Sequence, residues 1–161
     1  MSNVYLSLGS NQGDRELWLN KAIDLLGQET GEVLLLSHLY ETSAWGIEDQ
    51  PDFLNMCVQL RTTLNPFALL QSILDIETSL GRHRQVKWGP RIIDIDILFY
   101  DELLLQSQEL TIPHLFMQER KFVLLPLAEI APALVHLVFN RTIAELLAAC
   151  ADELEVRKLP V

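Results

Sequence analysis

The amino-acid sequence of 161 residues predicts an α+β fold, and three observations lead to it. Short segments alternate polar and apolar residues with the period of two that is typical of strands. Longer segments repeat apolar residues at helical spacing between capping and breaking residues. Up to Tyr100, these segments follow the order β-α-β-β-α-β. That order predicts a ferredoxin-like core, in which two helices cover one face of an antiparallel sheet.

The first strand and the helix starts show these patterns most clearly. Val4, Leu6 and Leu8 alternate with more polar residues, as in a strand with one buried face. A turn with two glycines follows, and Asp14 is a suitable N-cap for the first helix. Pro66 marks the start of the second helix, because proline fits the first helical turn.

The other elements of the core follow from the same reasoning. In chain order, we predict a strand at 3–8, a helix from Asp14 to about Gly27 or Gly31, a strand at 33–42, a loop at 43–52, a strand at 53–63, a helix at 66–80, a loop at 82–90 and a strand at 91–100. An unrelated α+β sandwich with the same order of elements is the alternative on this pattern alone.

The remaining third of the chain predicts a hairpin and two more helices. Residues 101–102 resemble a turn, after which 103–105 are predicted to return as a hairpin. Residues 122–130 and 142–150 are predicted helices, which we expect to pack on the second face of the sheet. A chain of this length is most simply one domain, so we expect a single domain spanning residues 1–161.

The charge balance excludes some classes of partner. Twenty-two Asp and Glu against twelve Lys and Arg give a net charge of −10 and a pI near 4.7. Binding to nucleic acid or to an anionic membrane surface needs a basic face, so we expect neither partner. We see no signal peptide and no stretch apolar enough to span a bilayer, and two cysteines make no disulfide framework. We therefore expect a cytoplasmic protein.

Two carboxylates in an apolar strand are the sharpest local feature. Because strand side chains alternate faces, Asp94 and Asp96 point one way, while Ile93, Ile95 and Ile97 point the other. Neighbouring carboxylates repel each other and lose solvation. A Mg²⁺ ion would compensate for this, since it prefers one or two carboxylates with water and substrate phosphates. A solvated sheet face, or salt bridges to arginine, is the alternative.

A cluster of cations directly precedes these carboxylates. Arg82, Arg84, Lys87 and Arg91 lie in a short stretch that contains no acidic residue. Guanidinium groups bind phosphate oxygens through paired hydrogen bonds. Beside a carboxylate pair, such a loop favours a metal–polyphosphate site. A solvated loop that pairs with acids elsewhere in the chain is the alternative.

Weaker candidates lie on either side of this block. Phe53 and Asn55 share one face of a predicted strand, where an aromatic ring could stack on a flat heterocycle and an amide could pair with its edge. Most such pairs are ordinary strand residues. His114 precedes Arg120 and could approach an anionic ligand, although a structural histidine is equally consistent with the pattern.

These features, together with several short motifs, match a known family. The matching stretches run in order at 8–11, 40–42, 50–55, 76–77, 80–84, 88–91, 94–97, 110–114, 120–122 and 126–132. The Trp-Gly-Pro-Arg block followed by Asp-x-Asp is the most specific of them. The chain resembles the 6-hydroxymethyl-7,8-dihydropterin pyrophosphokinase family, whose members transfer diphosphate from ATP to a pterin alcohol in folate biosynthesis.

The resemblance implies a role for each matching polar or aromatic residue. It implies two Mg²⁺ ions, with ATP as co-substrate, held by Asp94 and Asp96. It implies catalytic cations at Arg82 and Arg91. It implies an ATP site formed by Glu77, Arg84, Lys87, Trp88, Ile97, Thr111, His114 and Arg120. It implies a pterin pocket formed by Thr42, Ser43, Trp45, Phe53, Asn55 and Phe122. Leu74 departs from the family, because relatives often carry Gln there.

The reaction implied by the resemblance is an ATP-dependent diphosphoryl transfer by a monomer. The pterin hydroxymethyl oxygen would attack the β-phosphorus of ATP, and AMP would leave, by positioning and charge neutralisation. Another Mg²⁺-dependent nucleotidyl or phosphoryl transferase would use the same two carboxylates. A ligand-binding regulatory module with this fold is the non-enzymatic alternative, but it would need neither the carboxylate pair nor the cationic loop.

Overall fold

The computed structural model describes residues 1–42, 52–81 and 92–160. The strands are β1 (Ser2–Ser10), β2 (Gly31–Leu36), β3 (Tyr40–Thr42), β4 (Phe53–Thr62), β5 (Asp94–Tyr100), β6 (Leu105–Gln106), β7 (Thr111–Ile112), β8 (Val135–His136), β9 (Arg141–Thr142) and β10 (Val156–Lys158). The helices are α1 (Arg15–Glu29), α2 (Pro66–Ser79), α3 (Lys121–Ile130), α4 (Ile143–Ala149) and a 3₁₀ turn (Met117–Glu119).

The main sheet is antiparallel and has six strands in the described part of the chain. Its order is β10-β3-β4-β1-β5, and β2 pairs with the second half of β4, beside β3. The central strand β1 therefore pairs with β4 on one side and with β5 on the other. This arrangement confirms the predicted α+β, ferredoxin-like fold.

The first two helices begin where the sequence predicts. The Asp14 side chain accepts a hydrogen bond from the amide of Leu17, and the Asn65 side chain accepts one from the amide of Ala68. Both contacts satisfy amides that have no partner within the helix. Pro66 occupies the first turn of α2, where its missing N–H costs no hydrogen bond.

Two hydrophobic cores lie on opposite faces of the sheet. Leu6 and Leu8 of β1 pack against α1 and α2, together with Ile95 and Ile97 of β5. On the other face, Phe99 packs with residues of α3 and α4. The prediction that helices cover both faces is thus confirmed, and both sides of β1, β4 and β5 are shielded from water along most of their length.

The predicted strand at 33–42 is wrong in one respect, because the structure divides it into β2 and β3. The break falls at Ser37, whose hydroxyl donates to the carbonyl of His38 and accepts from the amide of Cys57. The carboxylate of Glu129 on α3 accepts from the His38 amide. In these contacts, backbone groups bond to side chains, whereas in a continuous strand they would bond to the neighbouring strand.

The predicted hairpin at 103–105 is also wrong. Only Leu105 of this stretch enters a strand, and that strand pairs with β7 rather than with β5. The chain turns at Asp101, which has a positive φ of 48° and exchanges hydrogen bonds with the backbone of Asn3. This turn ends the pairing after Tyr100 and leaves β5 at the edge of the main sheet.

The later helices lie close to their predicted positions, at Lys121–Ile130 and Ile143–Ala149. Most of the loops predicted at 43–52 and 82–90 falls outside the described residues. Strand β5 begins at Asp94, inside the predicted span. Among the residues that the structure describes, no helix combines the length and apolar character that crossing a membrane requires.

Candidate active site

The carboxylates of β5 occupy the face that the alternation predicts. Ile93, Ile95 and Ile97 are buried in the core beneath α1 and α2. Asp94 and Asp96 are half-buried on the opposite face, and both line clefts. An apolar strand thus holds two adjacent carboxylates at the surface, with the isoleucines fixing the strand on the core below.

Two clefts meet at these carboxylates. The first has a volume of about 760 Å³ and lies against β4 and α3. The second has a volume of about 1060 Å³ and lies between α2 and β7. The described residues that line both are Asp94, Asp96, His114 and Arg120. Ligands bound in the two clefts would therefore face each other across two carboxylates, an imidazole and a guanidinium.

The first cleft contains the four described residues of the predicted pterin pocket. Phe53, Asn55 and Phe122 line it together with Thr42. Asn55 is 5% exposed and Thr42 is 2% exposed. Among the described residues, neither the Asn55 Nδ2 nor the Thr42 Oγ1 has a hydrogen-bond partner. Unpartnered buried polar atoms are costly, so both positions suit a ligand that supplies the missing partners.

The second cleft contains the described part of the predicted ATP site. Glu77, Ile97 and Thr111 line it, and so do His114 and Arg120. Leu70 and Leu74 of α2 add apolar surface to the same cleft. The departure at Leu74 therefore falls inside the cleft, where it presents a hydrocarbon wall to whatever binds.

Glu77 is held in a structural contact of its own. Its side chain is buried, and Oε2 accepts a hydrogen bond of 2.8 Å from the amide of Ile95. Among the residues that the structure describes, β5 lies at the sheet edge and no strand pairs with it on the side away from β1. Glu77 therefore fixes the strand that carries Asp94 and Asp96, in addition to lining the second cleft.

His114 reaches the carboxylates through an irregularity in β5. The register between β1 and β5 shifts at Tyr5, which leaves Leu98 without a partner on β1. The Leu98 carbonyl accepts a hydrogen bond of 3.0 Å from the His114 amide. The His114 Nε2 then lies 3.8 Å from Oδ1 of Asp96. The β-bulge thus places a basic side chain beside one carboxylate.

The donor set at the junction of the clefts fits Mg²⁺. The described residues contain no cluster of three or more acidic, histidine or cysteine side chains able to hold a metal. A cation between Asp94 and Asp96 would complete its coordination shell with water and with oxygens of a bound phosphate. Mg²⁺ prefers that arrangement, whereas an all-protein cage is typical of Ca²⁺.

Seven predicted site residues lie outside the described residues: Ser43, Trp45, Arg82, Arg84, Lys87, Trp88 and Arg91. They remain predictions from the sequence.

Several residues of the first cleft were not among the predicted site residues. Ser7 and Gly9 line it from β1, while Asp152 and Leu154 line it from the C-terminal segment. The period of β1 contains a usable signal, since Ser7 and Gly9 share the face opposite Leu6 and Leu8. Asp152 and Leu154 belong to no motif, and long-range contacts, among them the pairing of β10 with β3, bring them to the cleft.

Comparison with known proteins identifies the family. The family model for 7,8-dihydro-6-hydroxymethylpterin-pyrophosphokinase (HPPK) matches residues 5–132. The 2-amino-4-hydroxy-6-hydroxymethyldihydropteridine pyrophosphokinase of Bacillus subtilis is 50% identical over 132 residues, which cover 81% of this chain and 79% of that protein. The enzyme of the same name in Methylorubrum extorquens is 46% identical over 149 residues, which cover 92% of this chain and 93% of that protein.

Solved structures show the same fold. An HPPK-DHPS crystal structure from Plasmodium falciparum matches with a TM-score of 0.75 and 20% identity, covering 92% of this chain. The match covers 43% of the Plasmodium chain, so the chain spans less than half of that protein.

The fold, the cleft pair and these relatives define the protein as an enzyme, a transferase that uses ATP. The chain belongs to the HPPK family. Its activity is that of a pterin pyrophosphokinase in folate biosynthesis.

Proposed function

We propose that this enzyme transfers the diphosphoryl group of ATP to 6-hydroxymethyl-7,8-dihydropterin and releases AMP, with Mg²⁺ bound at Asp94 and Asp96. The observation that carries the proposal is the junction of the two clefts. Asp94, Asp96, His114 and Arg120 line both of them, so groups bound on either side would meet at one charged centre. Transfer between two small substrates requires such a meeting point.

The first cleft suits the pterin. Phe53 and Phe122 offer aromatic faces on which a flat ring could stack. The Asn55 Nδ2, which has no partner within the described part of the chain, is a donor for a ring oxygen or nitrogen, while the Thr42 hydroxyl can both donate and accept. A pterin carries donors and acceptors along one edge, so it would offer hydrogen-bond partners to both of these buried atoms. Ser43 and Trp45 are expected to complete this pocket.

The second cleft suits the nucleotide. Leu70 and Leu74 provide apolar contacts for a base, while His114 and Arg120 lie at the end shared with the first cleft. This polarity would direct the phosphates toward Asp94 and Asp96 and the base toward α2. Arg84, Lys87 and Trp88 are expected to contribute from the cationic stretch of the sequence.

The reaction forms one bond and breaks one. The pterin hydroxymethyl oxygen bonds to the β-phosphorus of ATP, and the bond from that phosphorus to the oxygen shared with the α-phosphorus breaks. AMP leaves with that oxygen, and the hydroxyl proton is released. Bound Mg²⁺ would offset the phosphate charge. Arg82 and Arg91 are expected to stabilise the charge that develops on the transferred group.

Product analysis tests this proposal. The enzyme would be incubated with ATP, the reduced pterin alcohol and either Mg²⁺ or EDTA, and the nucleotides would be separated by chromatography. We expect AMP and pterin diphosphate in equal amounts, and neither product in EDTA. Formation of ADP would indicate phosphoryl transfer, and free pyrophosphate with an adenylylated product would indicate nucleotidyl transfer. Either result would overturn the proposal, as would full activity in EDTA.

A further inference from the structure

The C-terminal segment contributes to the first cleft. Ala149, Ala151, Asp152 and Leu154 all line it, opposite the sheet residues described above. The family model ends at residue 132, so these positions lie beyond the part of the chain that defines the family. One wall of the cleft is therefore formed by a segment that the family model does not match.

Within this segment, Asp152 makes an unusual contact with α3. The N-cap residue of that helix is Arg120, whose side chain makes no capping hydrogen bond. Instead, Oδ2 of Asp152 accepts a hydrogen bond of 3.1 Å from the amide of Lys121, the first residue of the helix. The other oxygen, Oδ1, accepts one of 3.0 Å from the amide of Leu154. One carboxylate thus caps α3 and also shapes the segment that forms the wall.

The position of this cap matters because of its neighbours. Arg120 and Phe122 lie on either side of Lys121, and both line the first cleft. A negative group at a helix N-terminus satisfies free amides and interacts favourably with the helix dipole. Fixing the amide of Lys121 therefore restrains the backbone from which the stacking ring and the guanidinium project.

The residues that follow Asp152 and Leu154 are also held in place, by the edge of the main sheet. Strand β10 pairs with β3, and the amide of Leu159 donates to the carbonyl of Leu39. The Arg157 guanidinium lies 2.7 Å from Glu41 and 3.4 Å from Asp52. Hydrogen bonds from Arg157, and also from Arg15, lower the pKa of Glu41. These contacts attach the chain that follows Asp152 to the edge of the sheet formed by β3.

We propose that Asp152 is a positioning residue of the first cleft, holding Phe122 and Arg120 in the geometry that binds the acceptor substrate. The proposal rests on the proposed function, because it takes the pterin as the ligand of that cleft. It predicts that loss of the carboxylate weakens acceptor binding more than nucleotide binding, because Phe122 and Arg120 both line the first cleft, whereas only Arg120 also lines the second.

The test compares three variants of the full-length enzyme. Asp152→Ala removes the cap, while Asp152→Asn keeps an oxygen that can accept from the Lys121 amide. Glu153→Ala is the matched control, because it removes a neighbouring exposed acid from the same segment. Equilibrium binding of the pterin alcohol and of a non-hydrolysable Mg–ATP analogue would be measured below the unfolding temperature of every variant, with kcat and both KM values from steady-state assays.

We expect Asp152→Ala to raise the Kd and KM for the pterin about five- to tenfold, the size of a lost helix cap, and to raise the nucleotide Kd by a smaller factor. Asp152→Asn should recover most of the affinity, and Glu153→Ala should behave as wild type. Unchanged pterin affinity in Asp152→Ala overturns the proposal, as does an equal loss for both substrates. If Asp152→Ala does not fold, a wild-type pterin affinity in Asp152→Ser, which shortens the reach to Lys121, overturns it as well. A wild-type enzyme that binds no pterin overturns the proposed function instead.

Discussion

A Cβ atom on Gly9 would lie 2.6 Å from Oδ1 of Asn55, its partner across β1 and β4. A carbon atom and a non-bonded oxygen atom do not approach so closely. The absence of a side chain at Gly9 therefore leaves room for the Asn55 amide in the first cleft. Glycine is required here by a close approach rather than by its backbone angles.

We therefore predict that Gly9→Ala displaces the Asn55 amide and weakens pterin binding. A misplaced recognition group can cost up to about 100-fold in kcat/KM, and the effect should fall on the pterin KM rather than on the ATP KM. Gly27→Ala is a matched control, because no atom lies within 4 Å of a Cβ built there. That control should keep full activity and gain about 0.5–1 kcal/mol from the helix preference for alanine. Steady-state kinetics with both substrates would decide, and unchanged pterin kinetics in Gly9→Ala would contradict the prediction.

The carboxylates of β5 give a second prediction. Asp94→Asn and Asp96→Asn should each lower kcat by at least about 100-fold at millimolar Mg²⁺, because each removes a charge proposed to hold the metal. Asp24→Asn, on the exposed side of α1, serves as the control. Near-normal turnover in both β5 variants would rule out the metal assignment.

Glu77 gives a prediction about stability. Glu77→Ala should lower the free energy of unfolding by about 1–3 kcal/mol, because the buried amide of Ile95 loses its acceptor. Glu77→Gln keeps an acceptor oxygen and should lose less. Urea unfolding monitored by circular dichroism would give both values. If the alanine variant were as stable as wild type, the hydrogen bond between Glu77 and the Ile95 amide would not contribute to the free energy of unfolding.

His136 gives a prediction about pH. Burial lowers the pKa of this imidazole, which packs against Phe99 and Phe139 and accepts a hydrogen bond from the Val138 amide. A lowered folded-state pKa means that protons bind more readily to the unfolded chain. The stabilisation is therefore complete above the ordinary value of 6.5 and is lost as the pH falls toward the folded-state pKa.

The measurement for His136 is the difference in unfolding midpoint between wild type and His136→Asn, from pH 7.5 to pH 5. Asparagine can accept from Val138 but does not titrate, so the contributions of His38 and the carboxylates cancel. We expect the wild type to lose stability relative to the variant as the pH falls. Parallel curves over the whole range would show that His136 does not carry the effect.

The sequence was sufficient to predict those features of the structure that depend on residues close together in the chain. The alternation around Asp94 and Asp96 predicted their shared face, and Asp14 and Pro66 predicted the starts of two helices, because strand pleat and helix capping depend on neighbours in sequence. The described members of the predicted pterin pocket line the first cleft and those of the predicted ATP site line the second, although His114 and Arg120 line both; their roles remain predictions.

The sequence was insufficient where a distant residue decides the local structure. The break between β2 and β3 depends on Glu129, which accepts from the amide of His38 and from the hydroxyl of Tyr40. Burial opposes the ionisation of Glu129, but these hydrogen bonds lower its pKa overall. The cap on α3 likewise depends on Asp152, which follows the helix in sequence. Neither contact leaves a periodic signal.

The edge position of β5 has a consequence for how the enzyme behaves in solution. An edge strand with free backbone groups is a template on which another chain can add a strand and begin to aggregate. In β5, the Ile95 amide donates a hydrogen bond to the Glu77 carboxylate, and the Leu98 carbonyl accepts one from the His114 amide. The same contacts that hold the carboxylates and the imidazole in the site therefore leave fewer backbone groups on this edge for pairing with another molecule.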